Sequence, residues 1–93
     1  MIFIWDIRKA AVNRKKHDID FREAATIFRD PLSITFSDAD HSDDEYRFIT
    51  IGQSIQRRIL LVAHTEEGDT IRIISARKAD RRELRFYEET QTE

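Results

Sequence analysis

Two arginines near the end of the chain carry the side chains best suited to chemistry on an anion. Arg72 and Arg77 lie in an apolar, β-branched segment at residues 71–78. A buried or half-buried arginine must find an anion, which either the protein or a ligand supplies. Because a planar guanidinium group matches phosphate oxygens, we interpret this anion as a phosphodiester.

The spacing of the two arginines leaves their orientation open. In a regular strand Arg72 and Arg77 point to opposite faces, because side chains alternate. They serve one site only if a bulge near Ser75 and Ala76 shifts the register, or if Arg77 lies beyond the strand's end. The structural alternative is that one arginine pairs with a carboxylate of the first helices and the other extends its stem along the surface.

Glu83 and Tyr87 are four residues apart, the spacing of two side chains on one helix face. Both could face Arg77, as a proton acceptor and a proton donor for phosphate chemistry. Glu83 also has a structural interpretation, because Asp80 and Glu83 have the spacing of a capping box. Guanidinium groups weaken a neighbouring carboxylate as a proton acceptor near neutral pH, which favours a helper role. Tyr87 is equally consistent with a packed aromatic whose hydroxyl reaches water.

Histidine is the side chain whose ordinary pKa suits general acid–base catalysis near neutral pH. His17 follows Lys16 and other basic residues at the end of a helical segment. His64 lies in an apolar strand with Leu60 and Val62 on its face, which favours a half-buried structural histidine. We therefore select His17 as the candidate for proton transfer.

Composition indicates one small domain, residues 1–93, with room for one sheet, two or three helices and a shallow site. The chain is 40% apolar and has no cysteine, which excludes disulfide bonds, cysteine zinc ligands and thiol nucleophiles. The net charge is −2, but basic residues form two clusters, at residues 8–17 and 72–85. These clusters are either local positive fields or merely solvated faces.

No apolar run reaches the roughly 18–20 residues that span a bilayer. The first residues also lack the pattern of a secretory signal, so we expect no membrane association and a cytoplasmic location. The acidic segment at residues 38–45 resembles a metal loop only superficially, because it lacks the glycine and the final glutamate of a calcium-binding hand. We expect no metal site there.

The hydrophobic pattern predicts the elements that position these residues. Residues 2–5 form a short β-leaning run, and residues 6–16 have a helical pattern. A second helix begins at Asp20, whose spacing to Glu23 is that of a capping box, and stops at Pro31.

The second half of the chain predicts a sheet followed by one helix. A last helix begins at Asp80 and runs to about Glu89, and residues 90–93 are expected to fray. The strands are predicted at residues 32–37, 46–52, 58–65 and 70–78. The predicted fold is therefore α+β, with two N-terminal helices, a four-stranded antiparallel sheet and a C-terminal helix.

Motifs over nearly the whole chain resemble the BrnT family, the toxin components of bacterial toxin–antitoxin pairs. The most specific run is residues 71–83. The other matching residues are Trp5-Asp6, Lys9, Asn13, Lys16-His17, Phe21, Ala24-Ala25, Phe28, Asp30-Pro31, Glu45-Tyr46-Arg47-Phe48, Gly52 and Tyr87.

This resemblance implies a RelE-like α+β fold and a ribonuclease that inhibits translation. It also implies a BrnA-type antitoxin, a ribbon-helix-helix protein, and we expect the two proteins to form a heterotetramer. Operator DNA would then be contacted only through the antitoxin, so that the complex represses its own operon.

We predict a metal-independent endoribonuclease without cofactors, in which the ribose 2′-OH attacks the adjacent phosphorus. Arg72 and Arg77 stabilise the developing charge, and His17 transfers the proton. The predicted catalytic residues are His17, Arg72, Arg77, Glu83 and Tyr87. The predicted RNA-binding residues are Lys16, Arg47 and Lys78.

Two other functional classes remain open at this point. The basic strand and helix could dock an acidic or strand-like partner in a non-catalytic interaction module. A DNA-binding regulator fits less well, because no recognition helix with base-reading side chains is apparent.

Overall fold

The computed structural model describes residues 1–38 and 46–91. None of the helices in these two ranges has the length and apolar character needed to cross a membrane. The elements are, in chain order, β1 (Ile2–Trp5), α1 (Ile7–His17), α2 (Phe21–Thr26) with a 3₁₀ turn (Ile27–Arg29), β2 (Ile34–Ser37), β3 (Arg47–Gln53), β4 (Ile59–Glu67), β5 (Thr70–Lys78) and α3 (Arg81–Glu89).

The described part of the chain is α+β, with three helices and one five-stranded mixed sheet. The strand order is β1-β5-β4-β3-β2; β1 pairs with β5 in parallel, and the other neighbours are antiparallel. The predicted four-stranded antiparallel sheet that follows two N-terminal helices is therefore wrong, because a fifth strand precedes the helices and pairs in parallel; the predicted α+β class and the C-terminal helix are present. Its partner is the last strand of the chain, and no local pattern identifies so distant a pairing.

The hydrophobic core lies between the sheet and the first two helices. Trp5 packs edge-on against Phe21, with ring centroids 6.1 Å apart. Each large apolar side chain that is fully buried stabilises the fold by about 1.5–3 kcal/mol. The buried cluster comprises Ile19, Phe21, Ala24, Ile27, Leu60, Val62, Ile71, Ile73 and Ala76.

The two predicted capping boxes have different outcomes. At α3 the prediction is confirmed, since Glu83 N donates to Asp80 Oδ1 and Asp80 N donates to Glu83 Oε1, both at 2.9 Å. At α2 only the cap forms, with Arg22 N donating to Asp20 Oδ1 at 2.8 Å. Glu23 is instead buried, where it accepts from Ser54 and Arg58. A buried carboxylate requires such partners.

Asn13 of α1 closes the edge of β5 beyond β1. The parallel pairing of β1 covers only residues 70–73 of β5. Farther along, Asn13 Nδ2 donates to Ala76 O at 2.9 Å, and Ala76 N donates to Asn13 Oδ1 at 3.0 Å. Nδ2 also donates to Ile19 O at 3.1 Å. A buried side-chain amide thus satisfies the backbone groups that a neighbouring strand would otherwise pair.

A bulge in β5 decides which side chains share a face. Ala63 pairs with Ser75 but His64 pairs with Ile73, so Ile74 is an extra residue in β5. Such an insertion reverses the alternation of side chains. Ile73 before the bulge and Ala76 after it are both buried in the core. The face that bears Arg72, Ser75 and Arg77, away from this core, is called the open face below.

α3 lies over one end of the open face. Phe86 packs edge-on against Phe36 of β2, with ring centroids 6.5 Å apart. Tyr87 is buried and donates a hydrogen bond to Asp30 Oδ2. Arg77 lies at this end of the open face, beside Glu83 of α3, whereas Arg47 and Arg72 lie toward the other end.

Candidate active site

The open face carries an arginine on each side of Thr65. Arg47 of β3 pairs with Thr65 of β4, and Thr65 pairs with Arg72 of β5. Directly paired residues have side chains on the same face, and neighbouring strands are about 4.8 Å apart, so the two arginines are about 10 Å apart at their Cα atoms. Arg72 Nε donates to Thr65 Oγ1 at 3.4 Å. Two cations therefore line one end of this face.

Arg77 lies on the same face, farther along β5. It pairs with Leu61, which is four residues from Thr65 on β4, so Arg72 and Arg77 are separated by about 13 Å at their Cα atoms. Ser75 lies between them and is exposed. The bulge at Ile74 thus produces the common orientation of Arg72 and Arg77 that a regular strand would prevent.

Glu83 holds the Arg77 guanidinium in a bidentate pair. Nη1 donates to Glu83 Oε1 and Nη2 donates to Oε2, both at 2.8 Å, and Nη1 also donates to Lys78 O at 3.3 Å. The hydrogen bond with Glu83 raises the pKa of Arg77. Because Glu83 also completes the capping box of α3, it fixes Arg77 relative to that helix.

Tyr87 does not contact Arg77 through any hydrogen bond found in the described residues. Its hydroxyl donates to Asp30 Oδ2, which also accepts from Gln53 N at 2.8 Å. Burial, together with the bond to Asp30, raises the pKa of Tyr87. Burial alone would raise the pKa of Asp30, but the hydrogen bonds that it accepts outweigh burial and lower that pKa. Tyr87 therefore anchors α3 to Asp30, which lies between the 3₁₀ turn and β2.

Lys16 and His17 line a groove between α1 and the bulge of β5. The groove has a volume of about 330 Å³, and Ile74 and Ser75 form its other wall. His17 is half-buried and Lys16 is exposed. Since Ser75 belongs to both the groove and the open face, the structure brings the predicted histidine beside the segment that carries the two arginines.

Lys78 and His64 lie on the opposite face. Lys78 pairs with Leu60, which is in the core. The pKa of Glu23 is lowered mainly by its hydrogen bond with Arg58, and the charge of Lys78 adds to this effect. His64 is fully buried, and its Nε2 lies 2.7 Å from Thr50 Oγ1. The structural interpretation of His64 is therefore confirmed, although its burial is complete rather than partial. Lys78 is separated from the open-face arginines.

Sequence reasoning missed three residues beside the arginines, namely Tyr46, Thr65 and Glu67. They line a cavity of about 450 Å³ together with Ile4, Glu66, Thr70 and Arg72. The aromatic residue directly before Arg47 was an available signal, because aromatic and basic side chains alternate in many nucleic-acid-binding surfaces. Thr65 and Glu67 became recognisable only through the strand register.

Metal ligands do not cluster in the described ranges. Across residues 1–38 and 46–91, no three or more histidine or acidic side chains are grouped so that they could hold a metal ion. Most of the acidic segment considered above as a metal loop, residues 39–45, lies outside the described residues.

Comparisons with known proteins identify the family. Residues 5–83 match the model of the family described as the ribonuclease toxin, BrnT, of a type II toxin–antitoxin system. The 1.1 Å crystal structure of the Brucella abortus ribonuclease toxin, BrnT, is 26% identical, with a TM-score of 0.65; the match covers 87% of this chain and 100% of that chain. A comparison with curated proteins gave no match.

The family match and the structural match confirm the resemblance inferred from the sequence motifs. Membership also implies that the protein has an antitoxin as its partner, since the family consists of toxins of type II toxin–antitoxin systems. The chain belongs to the BrnT family of ribonuclease toxins of type II toxin–antitoxin systems.

Proposed function

We propose that this protein is an endoribonuclease that cleaves RNA without a metal ion and thereby inhibits translation. The observation that carries the proposal is the bulge at Ile74, because it directs Arg72 and Arg77 to the same face. Family membership supports the ribonuclease activity. A shallow face with several cations suits an unpaired RNA strand, whose backbone is contacted through its phosphates.

In the proposed reaction the ribose 2′-oxygen attacks the adjacent phosphorus atom. A new bond from the 2′-oxygen to phosphorus forms, and the bond from phosphorus to the 5′-oxygen of the next nucleotide breaks. The 2′-OH loses its proton and the leaving 5′-oxygen gains one. The products are a 2′,3′-cyclic phosphate and a 5′-hydroxyl, so neither an oxidant nor a second substrate is required.

We place the scissile phosphate over Ser75, between Arg72 and Arg77. Both guanidinium groups would stabilise the charge that develops on the phosphoryl oxygens, and one such donor commonly contributes about 10²–10³ in rate. Glu83 is assigned a positioning role, because it holds Arg77 through two hydrogen bonds. A carboxylate already engaged with a guanidinium is a weak proton acceptor.

His17 is our choice for proton transfer. It lines the groove that contains Ser75, whereas Tyr87 already donates its hydroxyl proton to Asp30. Lys16, in the same groove, and Arg47, across Thr65 from Arg72, would contact neighbouring phosphates. Lys78 lies on the core-facing side, so we no longer include it among the RNA-binding residues.

We further propose that the partner is a BrnA-type ribbon-helix-helix antitoxin. The two proteins would form a heterotetramer in the cytoplasm that contacts operator DNA through the antitoxin. An apolar groove of about 470 Å³ between β2 and α3 offers a docking surface, with Phe36 and Phe86 43% and 45% exposed. The same groove also favours the second candidate function, a non-catalytic module that only docks a partner.

The deciding experiment is digestion of a defined RNA by the purified protein in the presence of a chelator. We expect cleavage with 2′,3′-cyclic phosphate ends, and a loss of about 10²–10³ in rate for Arg72→Ala. Arg22→Ala is the matched control, because Arg22 is an exposed arginine on α2, behind the sheet.

Two results would contradict the nuclease proposal in different ways. If the Arg72→Ala variant cleaved RNA at the parent rate, the role assigned to Arg72 would be contradicted. If the chelator abolished cleavage, the proposed metal independence would be contradicted. An inactive parent protein that is harmless when expressed alone in a bacterium would favour the docking module.

A further inference from the structure

We infer that the cavity beside Arg72 is a subsite for one unpaired nucleobase and that it prefers guanine. This inference rests on the proposed ribonuclease function and specifies the base that the enzyme selects. It concerns a cavity of about 450 Å³, a volume in the range of small-molecule binding sites.

The strand register builds this cavity at one end of the open face. Ile4 of β1 pairs with Arg72 of β5, and Arg72 pairs with Thr65 of β4. Tyr46, which immediately precedes β3, also lines the cavity, as do Glu66 and Glu67 at the end of β4 and Thr70 at the start of β5. An apolar side chain, an aromatic ring, a guanidinium group and two glutamates thus line one space.

The charges in this cavity fit a nucleotide better than a simple anion. Arg72 attracts phosphate, but the carboxylates of Glu66 and Glu67 would repel a phosphate that filled the whole cavity. A nucleotide resolves this conflict, because its phosphate can bind Arg72 while its base, which carries N–H donors, lies toward Glu67. Ile4 and Tyr46 provide apolar and aromatic surface for the faces of that base.

Tyr46 has the exposure expected of a stacking platform. Its side chain is 69% exposed, yet the ring lies 5.4 Å from that of Phe48 at an interplanar angle of 46°. An exposed ring supported by a second aromatic can stack on any of the four bases, which provides affinity without sequence preference.

Glu67 provides the preference. Across the described ranges its carboxylate has no hydrogen bond or ion pair, whereas the neighbouring Glu66 carboxylate lies 3.8 Å from His64 Nδ1. A carboxylate accepts two parallel hydrogen bonds from a pair of adjacent donors. Guanine presents such a pair, N1–H and the N2 amino group, on its Watson–Crick edge. Adenine, cytosine and uracil each present only one donor group on that edge.

Binding of the four nucleoside 3′-monophosphates to the purified protein, measured by calorimetry, tests the inference directly. We expect the guanosine nucleotide to bind at least about tenfold more tightly than the other three. Glu67→Gln should abolish this preference, because an amide replaces one acceptor by a donor. Glu88→Gln is the matched control and should retain it, since Glu88 is an exposed glutamate on α3 that does not line this cavity.

Tyr46 variants separate stacking from base selection. Tyr46→Ala should weaken binding of all four nucleotides about 5- to 100-fold, and Tyr46→Phe should restore it, because only the ring stacks. Circular dichroism of both variants should match the parent, since the side chain is largely exposed.

Cleavage of a defined RNA distinguishes the two proposals. A parent protein that cleaves RNA without base preference, or a Glu67→Gln variant that keeps the preference, would overturn the guanine subsite but leave the nuclease intact. Selective binding of the guanosine nucleotide without any RNA cleavage would support the subsite and contradict the nuclease. Unchanged nucleotide binding with weaker antitoxin binding in the Glu67 and Tyr46 variants would assign the cavity to the antitoxin and also overturn the inference.

Discussion

Acidification from pH 7 to pH 5 is expected to destabilise the fold by about 2 kcal/mol through His64. The imidazole is fully buried, with the Phe28 and Phe48 rings 4.9 and 5.9 Å away. Burial lowers the pKa of His64 from 6.5 to about 4. The Glu66 carboxylate would favour the charged form, but it lies 3.8 Å from Nδ1, beyond ordinary hydrogen-bond distance.

The direction of the pH effect on stability follows from the order of the folded-state and unfolded-state pKa values of His64. Because the folded-state pKa of His64 lies below that of the unfolded chain, the unfolded chain binds a proton first as the pH falls. The contribution of His64 to the free energy of unfolding is therefore fully present above pH 6.5 and is lost between pH 6.5 and pH 4. The two pKa values differ by an amount equivalent to about 3 kcal/mol, of which about 2 kcal/mol is lost by pH 5.

Urea unfolding at pH 7, 6 and 5 measures this loss, with His64→Gln as the comparison. Glutamine can still bond to Thr50 but does not titrate, so the free energy of unfolding of the variant should fall much less over this range. Glu23 and Asp30, whose pKa values are lowered in the fold, titrate in both proteins and cancel in the difference. An equal decline in both proteins would refute the role assigned to His64.

Three further predictions concern the elements that hold the site. Asn13→Ala should reduce the free energy of unfolding in urea by about 2–3 kcal/mol, because it leaves buried backbone groups of β5 without partners; the exposed Val12→Ala serves as a control within about 0.5 kcal/mol. Gly52→Ala should cost about 1–3 kcal/mol in the same assay, since a Cβ there would lie 3.0–3.1 Å from Ser33 and Ile27 atoms. Asp80→Ala should cost about 1 kcal/mol and increase amide hydrogen exchange in the first turn of α3. Unchanged stability in any of the three would contradict the corresponding contact.

The local elements were largely predictable from the sequence because their signals are local. The cap at Asp80 with Glu83 three residues later marked the start of α3, and both are bonded as that spacing indicates. The antiparallel strands carried recognisable apolar runs and a turn at Gly68, which has a φ of 60°. Each of these signals lies within a few residues of the feature that it predicts.

The features that required coordinates depend on distant pairings. The parallel partner of β1 is the last strand, so the predicted four-stranded sheet missed it. The position of the bulge at Ile74, rather than at Ser75–Ala76, is determined by the packing of Ile73 and Ala76 in the core. The Asp30 partner of Tyr87 is likewise far away in the chain, so the sequence could not decide whether Tyr87 faces Arg77 or packs elsewhere.

The pairing of the first strand with the last has a consequence for synthesis on the ribosome. β5 lies between β1 and β4, so β1 cannot join the other strands of the sheet until β5 has emerged from the ribosome. α1 and α2 can form early, since their hydrogen bonds are local. The face that holds the arginines, however, is assembled only when β5 has left the exit tunnel and joined the sheet. A chain whose β5 has not yet joined the sheet therefore lacks the surface on which we propose that RNA is cleaved.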